Sequence, residues 1–218
     1  MRKGTNMAST RRRGIESSET RALLLDAAEQ LMREEGYPAV TTRRLASRLG
    51  VSNQLVHYYF RTMDDLFLSL MRRRAEANLH GLLKALSSQN PLRALWEFNS
   101  DAESMKLNIE FVALTNHRKL ISEESARHAE QLRALETETL SRVLSDHGID
   151  TKKLPPVCLA VLMSSVPRTM AMETGFGVSL GHRETQELIE SYLRRFERGR
   201  KAPKQPAKRR ARREKLTR

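Results

Sequence analysis

Residues 37–67 read YPAVTTRRLASRLGVSNQLVHYYFRTMDDLF. Two short runs with helical spacing, 42–49 and 52–60, flank a turn that opens with Gly50. That length and punctuation are those of a helix-turn-helix. The glycine stops the first helix, because it enters the left-handed conformation without the penalty a Cβ would bring. Ser52 is placed to cap the second helix. With Val56 and Phe60 set inward on a helical wheel, Gln54, His57, Tyr58 and Arg61 turn outward, and Asn53 and Tyr59 lie on the flanks. Every outward side chain donates or accepts hydrogen bonds. A buried core would not tolerate that set, and a cap does not need it.

The charges nearby fit a surface that meets nucleic acid. No Asp or Glu occurs between Glu35 and Asp64, whereas Arg43, Arg44, Arg48 and Arg61 do. Phosphates would repel carboxylates from such a face. On these residues the segment resembles the DNA-binding domain of the tetracycline-repressor (TetR) family of bacterial regulators, over about residues 17–70. The shared features are a first helix ending in a glycine and a second helix with the pattern T-x-x-x-L-A. A G-V-S turn and a recognition helix ending in Y-Y-x-F follow, the latter written here His57-Tyr58-Tyr59-Phe60.

The resemblance implies that Thr42 or Arg43, with Ser52, Asn53, Gln54, His57, Tyr58 and Tyr59, faces DNA. Gln54 or Asn53 suits a bidentate pair with adenine, and Tyr58 suits a phosphate oxygen. His57 replaces the first of the family's two aromatics. Met63 stands where the family often has lysine, which leaves Arg61 to hold a phosphate there. The implied fold is all-α, with about nine helices. A three-helix DNA-binding domain precedes a helical domain for ligand binding and dimerisation. The implied division is a basic disordered arm at 1–16, the helix-turn-helix domain at 17–62, the second domain at 63–198 and a basic disordered tail at 199–218.

The rest of the chain fits an all-α reading. Gly and Pro fall between long amphipathic segments, and no strand-like alternation persists. A first helix is expected over 18–35, capped by Ser17 or Ser18, with Leu23, Leu24, Ala27, Ala28, Leu31 and Met32 at helical spacing. Thr62-Met63-Asp64-Asp65 reads as a capping box that opens a helix reaching about residue 86. Further helices are expected over 91–117 with a break near Ser100, and over 122–148, 156–173 and 183–198. Pro167 should kink its helix. The last two are those that the family pairs with their copies in a homodimer, and one helix-turn-helix reads only a half-site.

The net charge of +13 is carried by the ends. Residues 1–13 hold five basic and no acidic residues, and 194–218 hold 13 basic and two acidic, so residues 14–193 carry −3. The tail has no periodic apolar residues, and it is read equally as a solubilising terminus or as a non-specific phosphate binder. Arg11–Arg13 similarly suit a minor-groove arm or a solvated terminus. There is no apolar run long enough to span a membrane and no signal-peptide core. The single Cys158 is read as a small core residue and fits a reducing cytoplasm.

A ligand cavity is expected among the helices from 91 to 175. Its candidate residues are Trp96, Phe98, Met105, Phe111, His117, Met163 and Arg168, against the plainer reading of core packing. The six histidines show no metal spacing, and no phosphate loop, nucleophile elbow or Cys–His pair occurs, so neither cofactor nor catalysis is expected. The expected partners are a double-stranded operator, a small-molecule effector and a second copy of the chain. The competing reading is an architectural protein that binds DNA without sequence preference through its basic ends.

Overall fold

The computed structural model describes residues 6–198, with side chains from Ser18 onward. Among the described residues the hydrophobic pattern resolves into nine α-helices: α1 (Asn6–Glu35), α2 (Thr42–Leu49), α3 (Asn53–Tyr59), α4 (Met63–Leu86), α5 (Pro91–Asn99), α6 (Ala102–Thr115), α7 (Lys119–Asp146), α8 (Pro156–Gly175) and α9 (His182–Arg198). A single 3-10 turn, Tyr37–Ala39, joins α1 to α2.

The local stop signals act where the sequence puts them. Gly50 takes a left-handed φ of 64° and closes α2. Ser52 Oγ accepts from the Leu55 amide at 3.2 Å. Thr62 and Asp65 form the reciprocal box, each side chain accepting from the other's amide at 3.1 Å. The break near Ser100 separates α5 from α6, and Asp101 Oδ2 caps α6 by accepting from Ser104 N at 2.8 Å.

Four expectations shift. Helix α1 begins at Asn6 rather than near residue 18, so residues 6–16, read as an arm, have helical backbone and Ser17 and Ser18 are not caps. No proline lies between 6 and 35, and the one internal glycine, Gly14, weakens a helix without ending it. The side chains of Arg11–Arg13, residues 1–5 and the tail from 199 to 218 lie outside the described residues. Leu23 is exposed, one step of about 100° off the buried stripe of Leu24, Ala28, Leu31 and Met32. Cys158 is also exposed, because the inward face of α8 is taken by Ala160, Met163, Ser164 and Pro167. The long segment around α7 starts at Lys119, three residues before the expected Ser122.

Two hydrophobic cores share the long helices α4 and α7. The first joins α1, α2, α3 and the first half of α4, through Leu24, Leu45, Val56, Phe60, Phe67 and Leu70, to Leu107, Phe111 and Leu114 of α6 and Ile121 of α7. The second joins Leu82 of α4 to Leu92, Leu95, Leu140, Ala160, Met163 and Leu193. Arg73 of α4 ties the first core to α1, bonding Asp26 at 2.6 Å and Glu29 at 2.9 Å. At the far end Arg93 of α5 clamps α9 through Glu190, in a two-pronged contact at 3.0 Å, and Glu197.

Candidate nucleic-acid interface and ligand cavity

Helix α3 is fixed from beneath and free above. Val56 and Phe60 are buried at 1% and 3% exposure, and the Arg21 guanidinium lies 5.1 Å over the Phe60 ring. Ser52, Asn53, Gln54 and His57 are exposed, as are Arg43 and Arg61 beside them. Tyr58 is 74% exposed although it is an aromatic residue. Tyr59 is half-buried against the first core and meets Tyr58 edge to face, with centroids 5.1 Å apart. The wheel assignment of inward, outward and flanking residues therefore corresponds to the geometry of α3.

Two of the nine residues expected at DNA are partly committed elsewhere. The Ser52 hydroxyl is the α3 cap. Thr42 is half-buried, and its hydroxyl donates to Met63 Sδ at 3.6 Å, so Met63 packs back under α2. The four arginines of the carboxylate-free stretch also divide. Arg44 bonds Glu35, and Arg48 bonds Glu34 at 2.9 Å. Arg43 and Arg61 have no carboxylate partner among the described residues.

The ligand candidates do not form one cluster. Trp96 and Met105 line a cavity of about 1020 Å³ between α5, α6, α8 and α9, whose wall also includes Pro167 and Met170. Phe98 and Arg168, again with Met105, line a smaller chamber of about 260 Å³ between α4, α5, α6, α7 and α8. Phe111 belongs to the first core and Met163 to the second. His117 is exposed in the turn between α6 and α7. No group of three His, Cys, Asp or Glu residues suited to a metal ion occurs among the described residues, and no described helix is long and apolar enough to cross a membrane.

Sequence reasoning missed the links between cavity and head. Glu110 of α6 lines the larger cavity, and its Oε2 accepts from the Tyr37 amide at 2.8 Å. Gly36 makes that approach feasible: its φ is 84°, and a Cβ there would stand 3.2 Å from the same oxygen. Arg33 of α1 also lines the cavity and donates to the Glu103 carbonyl at 2.8 Å. Away from the cavity, Arg118, at the start of α7, pairs with Asp64 in the first turn of α4, with the guanidinium 5.2 Å over Phe67. Nothing local in the sequence marks Glu110 or Arg118, whose partners lie 73 and 54 positions away.

Comparison with known proteins bears on this geometry. Residues 24–70 match the model of the family described as bacterial regulatory proteins, tetR family. A stretch of 56 residues is 38% identical to an HTH-type transcriptional repressor of Mycobacterium tuberculosis, and it spans 26% of this chain and 30% of that protein. A TetR transcription regulator from Haloarcula marismortui superposes with a TM-score of 0.65 at 17% identity, over 81% of this chain and 96% of the other. A protein described as a transcriptional regulator from Saccharomonospora viridis, solved in complex with choline, superposes with a TM-score of 0.64 at 19% identity. That match covers 82% of this chain and 95% of the other. At these identities the superpositions establish a shared fold.

Proposed function

We propose that this chain, whose residues 24–70 match the tetR family of bacterial regulatory proteins, belongs to that family and is a sequence-specific transcriptional regulator. It acts as a repressor that a small apolar or amphipathic ligand releases from a pseudo-palindromic operator. The observation that carries this reading is α3, anchored by Val56 and Phe60 and presenting Asn53, Gln54, His57 and Tyr58 to solvent. Gln54 or Asn53 reads a base edge in the major groove, while Tyr58, Arg43 and Arg61 hold phosphates. Residues 17–62 are the DNA-binding unit and 63–198 the ligand and dimerisation unit. The basic ends add salt-sensitive affinity without sequence choice. The site of action is the cytoplasm.

A homodimer supplies the second half-site reader. Support comes from the outer faces of the last two helices, where Val157, Val161, Leu162, Leu188 and Tyr192 are each at least 44% exposed. Apolar patches of this kind mark interaction surfaces. The ligand occupies the space between α5, α6 and α8. One protein of this fold was solved with choline, which supports a small molecule as effector.

Release follows from elements that belong to both halves. Helix α4 contributes Leu66, Phe67 and Leu70 to the head core and Leu82 to the second, so a tilt at one end reaches the other. The Glu110 to Tyr37 bond and the Arg118 to Asp64 pair give α6 and α7 a hold on the head. A ligand that shifts α6 changes the spacing of the two α3 copies, and a coupling of about 1–3 kcal/mol is sufficient. Footprinting on the DNA upstream of the chain's own gene tests the reading. Wild type and a variant lacking 199–218 with Arg11–Arg13 replaced by Gln should protect the same bases. Protection that vanishes when only the basic ends are removed would instead favour the architectural reading.

A further inference from the structure

The smaller chamber differs in chemistry from the cavity beside it. Asn99 and Met105 line both, so the two share a wall. The apolar wall of the larger space is Trp96, Ile109, Pro167, Met170 and Phe176, with the charged Arg33 and Glu110 at its edge toward the head. The smaller is bordered by Asn78, Ser104, Asn108, Arg133, Glu136 and Arg168. Glu136 falls on the apolar stripe of α7, between Leu132 and Leu140, and is 5% exposed. It accepts no hydrogen bond from the described residues. Its nearest cation, Arg133 Nε, is 3.6 Å away.

The chamber is short of acceptors. Arg133 Nη2 donates to Ser164 Oγ at 3.0 Å, but its Nη1 is buried without a partner. Arg168 enters from α8, and no carboxylate hydrogen-bonds it. The one other acid at the wall, Asp101, is spent capping α6. Buried donors normally have acceptors, so the unpaired Arg133 N–H is free to take one from a bound molecule. Burial pushes the Glu136 carboxyl up, against the pull of Arg133 and Arg168; in its protonated form it is a further donor.

We propose that this chamber binds the carboxylate of an amphipathic acid. Arg133 and Arg168 take its oxygens, and its apolar tail crosses Asn99 and Met105 into the Trp96 cavity. The proposal rests on the reading that the effector sits in this half of the chain, and it specifies that effector's chemistry. A cationic head would meet two guanidiniums, and a hydroxyl would leave both charges unmatched. Guanidinium and carboxylate match in charge and in bidentate geometry.

Calorimetry on the full chain without DNA, with octanoate, 1-octanol and octylammonium as chain-matched probes, tests this. Octanoate should bind about tenfold or more tighter than either of the others. Arg168→Gln, at an exposed position, and Arg133→Gln should each remove most of that preference. Trp96→Ala should weaken octanoate and octanol alike. Octanol or octylammonium binding as well as octanoate, binding of none of the three, or a preference that survives in both arginine variants would overturn the proposal. Because no DNA is present, either result leaves the footprinting outcome standing on its own.

Discussion

Tyr58 and Phe60 are two residues apart and do opposite work. Phe60 is 3% exposed in the head core, so Phe60→Ala should cost about 3–5 kcal/mol and lower the melting temperature. Tyr58 is 74% exposed, so Tyr58→Ala should shift stability by less than about 0.5 kcal/mol. It should nonetheless weaken operator binding about tenfold, uniformly across half-site sequences, as a phosphate contact does. Gln54→Ala should cost about 1–3 kcal/mol of binding, concentrated at one or two base pairs. Thermal melts beside binding isotherms on point-mutated operators separate these effects. A Tyr58→Ala protein that melts far below wild type would show that its ring is structural.

At the scale of the element, the capping box fixes where α4 begins and how the chain leaves α3. Thr62→Ala removes the acceptor for the Asp65 amide and should cost about 1 kcal/mol in denaturant unfolding, with little change in the slope. The boundaries of α2, α3 and α4 were legible in the sequence because Gly50, Ser52 and Thr62 each act within four residues of their own position. The partners of Arg44 and Arg48 were not legible. Both face Glu35 and Glu34, which lie just before the carboxylate-free stretch and are brought back by the packing of α1 on α2. The same holds for Glu110 and Arg118, whose contacts cross between helices far apart in sequence. Glu136 did leave a local trace, as a carboxylate on an otherwise apolar stripe. Cys158 was misread because α8 is apolar on two sides, and composition does not say which side is covered within one chain.

At the scale of the whole molecule, the Arg93 clamp and the open faces of α8 and α9 set separate expectations. Hydrogen bonds from Arg93 and then Arg194 hold the Glu190 carboxyl down at about 2. A depressed carboxylate stabilises the fold fully above its ordinary range near pH 4.5 and loses that contribution as pH falls toward 2. The stability gap between wild type and Arg93→Ala should therefore stay constant above pH 4.5 and close below it, as read by denaturant titration across that window. Leu162→Glu, on an exposed face, should leave the monomer fold intact by circular dichroism and yield a monomer in sedimentation. A dimer that persists would move the interface elsewhere.

The account turns on sequence-specific contact by α3. Anisotropy titrations of wild type and Gln54→Ala on the footprinted operator and on a shuffled duplex of equal length, at several salt concentrations, measure it directly. Wild type should favour the operator by about 1,000-fold or more. Gln54→Ala should narrow that ratio while keeping the same salt slope, because base contacts carry no counterion release. Equal affinity of the wild-type protein for both duplexes, at every salt concentration, would contradict the account.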